Sequence, residues 1–535
     1  MRVICAMLAL LAGLASSYAG AAPAAKAGDV VFATGFEEPK ALDGWSVRGG
    51  AGSATLDAGS EGGHALCITV APGSSGSASV ERPLAPDRVR GCKLLLSAMV
   101  RAEGVSAKPQ PWNGLKFMLP MAAAGVKLWP QATIEVGTFP WRRVVWQAFV
   151  PDDATQASLV LGLENVTGRV WFDDVKITVR RVLAPLVPRA AAGPIYKGHT
   201  LPRLRGAMVS PNATEEDLRV LGQEWKANLI RWQLCGFKPR MDTGDTAAYE
   251  AMLEEHLKKL DAILPSCEKY GLMVVVDLHT GPGQWAASGR GLFSSAACQK
   301  RFIDIWRDIA RRYKNAKAVW GYDLVNEPHE SPFDPELSDW QELAERAARA
   351  VREIDPERTI IVEPAEGGGP GGMAQLRPIN VPNVVYSVHM YNPGSFTHQG
   401  VFGEWVKKIP YPGETEGKMW DKAALEASLK PVIDFQKAFG VHIYMGEFSA
   451  IRWAPDGSAC RYIKDLIDIF ESHGWDWTYH AFREWQGWSA EHGPDKADAK
   501  PAVQPTDREK LLREWYAKNQ KPVVPAPAAQ RATSP

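Results

Sequence analysis

Asn326 and Glu327 stand side by side in the stretch GYDLVNEPH, and Glu447 stands in MGEFSA, 120 residues after Glu327. The residues leading to the first pair, Val319, Trp320, Tyr322, Leu324 and Val325, are apolar and read as a buried strand that Pro328 stops. A carboxylate at the edge of a core is costly unless something there uses it. Two carboxylates that a fold turns toward each other can break a glycosidic bond. One attacks the sugar's anomeric carbon. The other protonates the leaving oxygen and then activates water. A separation of about 5–5.5 Å makes that reaction retaining. A general acid must hold its proton near neutral pH, and an ionised carboxylate alongside raises an acid's pKa.

Other polar residues close apolar runs in the same way. Arg231 lies in LIRWQL, Asp277 and His279 end VVVDLH, and His389 and Tyr391 lie in VHMY. An arginine beside a carboxylate keeps it ionised, as a nucleophile requires. An amide such as Asn326 offers a sugar hydroxyl both a donor and an acceptor. Arg231 is also open to reading as a structural ion pair. A lone His389 is open to reading as a satisfied core histidine, although its place two residues before Tyr391 favours a site.

These residues need a scaffold that gathers strand ends. Residues 28–181 carry strand signals only: short apolar runs bounded by Gly, Pro and Asp, the pattern of an antiparallel sandwich. A linker over 182–200 opens with the Pro- and Ala-rich VLAPLVPRAAAGP. Over 201–520 the rhythm becomes strand, helix, strand, helix. Eight strand candidates start near residues 204, 227, 272, 319, 359, 384, 442 and 475. They are apolar almost throughout, as parallel strands buried on both faces must be. Eight strands, each followed by a helix, predict a (β/α)8 TIM barrel, whose active face is the C-terminal strand ends. A doubly wound open sheet is the structural rival. The fold class is therefore α/β, a TIM barrel preceded by an all-β jelly-roll sandwich. Residues 521–535 read as a disordered tail.

Composition narrows the function. Lys plus Arg and Asp plus Glu both number 61, which argues against a nucleic-acid or polybasic membrane surface. Residues 1–22 read as a signal peptide, so a secreted or periplasmic location is expected, with no membrane span. Cys5 falls in that leader. The other six cysteines permit disulfides, but buried thiols fit as well. No His/Cys cluster has zinc-ligand spacing, and no metal or cofactor is expected. PAEGGGPGGM follows no phosphate-loop pattern. A monomer acting on a poly- or oligosaccharide is the expected form.

LIRWQL, VVVDLHTGPG, YDLVNEPH, VHMY and MGEFSA together resemble glycoside hydrolase family 5, the cellulase-like retaining β-glycosidases, over residues 204–517. The resemblance implies Glu327 as acid/base and Glu447 as nucleophile. It implies Asn326 on the sugar's 2-hydroxyl, Arg231 and Tyr391 on the nucleophile, and His279 and His389 lining the subsite of the reacting sugar. Many members place a Trp on strand 8 beneath the sugar. Here the strand reads WDWTYHAFREWQGWSAE, with His480 at that position and Trp485 as the expected platform. The GRVWFDDVKITV strand makes the front domain similar to a carbohydrate-binding jelly roll. There Trp112, Trp129 and Trp141 are candidate stacking residues, and Trp146 and Trp171 candidate core. The expected activity is hydrolysis of β-linked glucans. Mannan-cleaving or glycolipid-cleaving relatives are alternatives within the family. An inactive sugar-binding barrel is the rival from another class, but it need not keep both carboxylates.

Overall fold

The computed structural model describes residues 25–188, 193–236, 246–284, 291–331, 333–402 and 408–522. The expected leader 1–22 lies outside these residues, as does the expected tail from 523 onward. Two compact units divide at Val182 and Leu183.

The first unit is a pair of six-stranded sheets. Strands Cys92–Val105 and Gly168–Val182 form the centre of one sheet, and Ala154–Glu164 the centre of the other. Burial alternates along Cys92–Val105, so Leu94, Leu96, Ala98 and Val100 face one way and meet Leu161 and Phe172 in a single core. Trp146 joins that core, as expected. Trp171 does not. It is buried on a separate patch with Cys67, between the guanidinium groups of Arg101 at 4.4 Å and Arg169 at 4.5 Å. Trp141 packs against that patch rather than standing free.

The second unit is a closed eight-stranded parallel barrel. Its strands are β1 (Arg205–Val209), β2 (Leu229–Leu234), β3 (Met273–Leu278), β4 (Val319–Asp323), β5 (Thr359–Val362), β6 (Val384–Met390), β7 (Ile443–Phe448) and β8 (Asp476–Tyr479). All eight coincide with the apolar runs. One expectation fails: the chain after β5 makes only a short 3-10 turn, Pro370–Ala374, where a helix was expected. Four of the five residues Gly367–Gly371 are glycine, and glycine costs a helix about 1 kcal/mol each.

Alternate strand residues face the barrel lumen. Leu229, Val275, Trp320, Ile361, Val385 and Tyr444 form an apolar floor, closed by Leu201 and Leu204. The second half of the linker is part of that floor. His199 and His442 each place Nε2 on Asp476 Oδ2, at 2.7 and 2.6 Å, and Trp320 Nε1 donates to Lys197 O at 3.1 Å. Lys521, first residue of the expected tail, is anchored too, with Nζ donating to Gly222 O at 2.8 Å.

Leu161 is fully buried at the centre of the sandwich. Leu161→Ala is expected to cost about 3 kcal/mol. Chemical denaturation, with hydrogen exchange read on the sandwich amides, checks it.

Candidate active site

Above the apolar floor the lumen turns polar within one step of the strand period. Leu229 is followed on its face by Arg231, Val275 by Asp277, and Ile361 by Glu363. Arg231 is fully buried, and its guanidinium is the hub. Nε donates to Asp323 Oδ2 at 3.0 Å, and Nη1 to Glu447 Oε1 at 2.6 Å. Nη2 donates to Glu363 Oε1 at 2.9 Å and Asn326 Oδ1 at 3.1 Å, and lies 3.1 Å from Asp277 Oδ1. Burial alone would favour a neutral arginine, but four carboxylates outweigh it and hold the group charged. Burial dominates at Asp323 instead. It pushes the carboxyl well above its usual range, against Arg231 and with help from Glu363.

Glu447 reaches the lumen through an irregularity. Tyr444 and Gly446 face inward, so Glu447 would face outward on a regular strand. The β6–β7 register instead passes from Val388↔Met445 to His389↔Glu447, which leaves Gly446 as a bulge. A side chain at Gly446 would come within 2.5 Å of Ser387 Oγ and 2.9 Å of His389 Nε2. Glu447 Oε2 accepts the Tyr391 hydroxyl at 2.9 Å and lies 3.3 Å from His480 Nδ1. Burial favours its neutral form, but His389, His480 and Arg231 outweigh that and hold Glu447 well below the usual carboxylate range. Burial, with Glu447 beside it, holds the Tyr391 phenol well above its usual value, so it remains a donor.

Glu327 sits past the end of β4 with φ at +47°, a left-handed conformation uncommon for a residue with a side chain. Its N–H is fixed by Glu363 Oε2 at 2.8 Å. Its side chain is one-third exposed, and Oε1 meets His389 Nδ1 at 3.0 Å. Gly368 closes over the pair, where a Cβ would lie 2.6 Å from Glu363 Oε2. Asn326 Oδ1 accepts from Arg231 Nη2. Burial would lower the His389 pKa, but Glu363 and Glu447 hold it well above the usual value. His279 Nδ1 meets Asp277 Oδ2 at 2.8 Å. Burial opposes the charge on His279, but Asp277 prevails and raises its pKa.

The structure thus gathers Arg231, Asn326, Glu327, His389, Tyr391 and Glu447 into one bonded cluster, with His279 tied to it through Asp277. Trp485 lies farther out. It is 39% exposed and packs edge-on against Trp453 and Trp488. Asp323, Glu363 and Glu484 were not foreseen. Asp323 closes β4 within a run read as apolar, and Glu363 directly follows β5, so reading every strand end would have found both. Of the aromatics in the loop over 392–422, Phe396, Tyr411 and Trp420 are buried, and Phe402 is exposed. Among the described residues, two clusters bring potential metal-ligand atoms within 4.8 Å of one another, Glu327–His389–Glu447 and His199–His442–Asp476. His389 already bonds Glu327, and His199 and His442 both bond Asp476. None of the six described cysteines forms a disulfide.

A closed parallel barrel with two glutamates meeting over a buried arginine defines a glycoside hydrolase of the TIM-barrel kind. Residues 195–486 match the cellulase family, glycosyl hydrolase family 5, and the chain belongs to that family. Endoglucanase C of Acetivibrio thermocellus is 31% identical over 255 residues, covering 42% of this chain and 73% of that protein. Cellodextrinase A of Ruminococcus flavefaciens is 27% identical over 241 residues, covering 44% and 70%. The solved structure of Thermotoga maritima Cel5A with cellobiose is 25% identical with a TM-score of 0.46, covering 58% of this chain and 97% of that one.

Arg231→Ala would leave buried carboxylates without their counter-charge. A loss of about 3–5 kcal/mol is expected, read as the denaturant midpoint.

Proposed function

We propose that this protein is an exported, retaining β-glycosidase that hydrolyses β-linked glucan chains. The observation that carries the reading is the carboxylate pair: ligand oxygens of Glu327 and Glu447 lie within 4.8 Å of each other. Retaining enzymes hold their carboxyl groups about 5–5.5 Å apart, whereas inverting ones leave about 6.5–9.5 Å for a water. The two environments also differ as the roles demand. Glu447 is buried among cations and donors and kept ionised, which suits attack on the anomeric carbon. Glu327 is partly open, which suits delivery of a proton to a leaving oxygen that must then depart.

In the first step a Glu447 oxygen bonds the anomeric carbon as the C–O bond to the leaving sugar breaks, and Glu327 gives that oxygen its proton. In the second, Glu327 takes a proton from water, the water oxygen bonds the anomeric carbon, and Glu447 leaves as a carboxylate. Arg231 and Tyr391 hold Glu447 in line. Asn326 Nδ2, which donates to no described residue, serves the sugar's 2-hydroxyl. His279 and His389 line the same subsite. Trp485 supplies an exposed aromatic face beside it. The glucan preference is drawn from the endoglucanase and cellodextrinase relatives. Among the described residues no helix is long and apolar enough to cross a membrane, which is compatible with export.

A sugar-binding role for the front unit is favoured by Trp112 and Trp129, 60% and 58% exposed. Their loops are tied together: Lys116 Nζ donates to Trp112 O at 2.5 Å and to Gln131 Oε1 at 2.9 Å. Exposed flat rings on braced loops suit stacking on a glycan.

A panel of β-glucan, β-mannan and xyloglucan tests the substrate, with proton NMR of the first product. The β-anomer is expected first; an α-anomer would show inversion and sink the reading. Glu327→Ala is expected to lower kcat about 10²–10⁴-fold on cello-oligosaccharides, and far less on an aryl glycoside with an acidic phenol. Glu447→Ala is expected to abolish turnover of both. The double change Trp112→Ala and Trp129→Ala is expected to weaken pull-down on insoluble β-glucan while leaving turnover of a soluble oligosaccharide intact.

A further inference from the structure

The roles above leave His480 and Glu484 without a task, although His480 lies against Glu447 and Glu484 against His480. His480 follows β8, with its N–H fixed by Phe448 O at 3.1 Å. Its Nε2 lies 3.2 Å from Glu484 Oε2. Its Nδ1 lies 2.5 Å from the Tyr391 hydroxyl oxygen and 3.3 Å from Glu447 Oε2. Tyr391 bonds Glu447 Oε2 in turn at 2.9 Å. Glu484, His480, Tyr391 and Glu447 therefore form a chain. Nδ1 is engaged by the Tyr391 hydroxyl, and Nε2 faces Glu484 at ion-pair distance without hydrogen-bond geometry.

The Tyr391 hydroxyl has one proton and two neighbours that can take it. A neutral imidazole with a bare Nδ1 would compete with Glu447 for that proton. An imidazolium cannot, because its Nδ1 is itself a donor. The direction of the phenol thus depends on the charge of the histidine. The titratable groups facing His480 are Glu447 from β7, Tyr391 from the end of β6, Glu484 from its own segment and His398 from the segment after β6. Trp488 packs on its ring at 5.8 Å. Burial favours the neutral imidazole, but Glu447 and Glu484 prevail and raise it to about 10. His398 is pushed down to about 4 by burial and by the charge on His480, so it adds no second cation there. Arg231 and His389 approach Glu447 as well, and His279 approaches Glu484.

We propose that His480, paired with Glu484, is a positioning residue that obliges the Tyr391 hydroxyl to donate to Glu447 and so holds Glu447 ready to attack. The inference rests on Glu447 being the nucleophile. It gives the strand-8 position a polar duty toward Glu447 in place of a stacking surface beneath the sugar.

The test uses the full chain and 2,4-dinitrophenyl 2-deoxy-2-fluoro-β-cellobioside, whose leaving group departs without an acid. The labelling rate against pH then follows the ionisation of Glu447 and not that of Glu327. Wild-type label must fall on the peptide holding Glu447; label elsewhere sinks the nucleophile assignment and this inference together. With that label in place, His480→Gln removes a cation, so Glu447 holds its proton more tightly. Its acid limb should rise by about one pH unit, a roughly tenfold slower labelling below the limb. Glu484→Gln should leave the acid limb near its wild-type position, because His480 is still protonated there. It should lose labelling several-fold on the alkaline side, as the His480 pKa drops back toward 6.5 from about 10. Pure packing roles would lower both variants' rates equally at every pH, and that result overturns the proposal. If His480→Gln does not fold, the alkaline limb of Glu484→Gln decides alone.

Discussion

The active face depends on one buried guanidinium. Arg231 is surrounded by Asp277, Asp323, Glu363 and Glu447 and is closed off from water. Removing such charges from water costs several kcal/mol per ion, so the cluster stands only if every member is answered. Arg231 alone cannot answer four anions. Burial pushes the Asp323 carboxyl well above its usual range, and Glu363 holds the His389 pKa well above its usual value. The group behaves as one unit in which no side chain can change its state without its neighbours responding. It also explains why the lumen changes so sharply from the apolar floor to an ionic layer: the layer must be dense enough to satisfy itself.

Regular strand positions hold this hub, and irregular backbone holds the paired glutamates. Arg231 and Asp277 come from ordinary strand alternation. Glu447 comes from a bulge at Gly446, and Glu327 from a left-handed residue beyond β4. Both irregularities are held in place by the hub. Glu363 fixes the Glu327 N–H, and Arg231 draws Glu447 inward. Local strain of a kind that costs about 1–3 kcal/mol persists because the surrounding bonds over-determine it. The acid that looked isolated at the end of an apolar run is thus joined to its partner through His389 and Glu363.

The barrel was legible because strands buried on both faces are written as unbroken apolar runs, and all eight runs coincide with strands. The glutamate pair was legible because each ends such a run beside a turn residue. Asp323 was hidden for the opposite reason: one acid inside an apolar run does not alter its hydrophobic reading. Glu363 was hidden by the glycines that follow it, which drew the reading toward a loop. Trp171 shows the limit of composition. Its burial was foreseen, but its side of the sheet was not, because a tryptophan capped by two arginines buries as well as one in a core.

The floor carries a consequence for anyone recombining such chains. Residues 196–204 belong structurally to the barrel: Tyr196 meets Thr359 at 3.0 Å, His199 meets Asp476, and a side chain at Gly198 would collide with Thr359 Oγ1. A junction chosen at residue 200, where the composition stops looking like a linker, would cut away Tyr196, Lys197 and His199 and strip Thr359, Trp320 and Asp476 of these partners. The transplantable catalytic module begins before residue 195, and the length available for grafting a different front module is shorter than the sequence advertises.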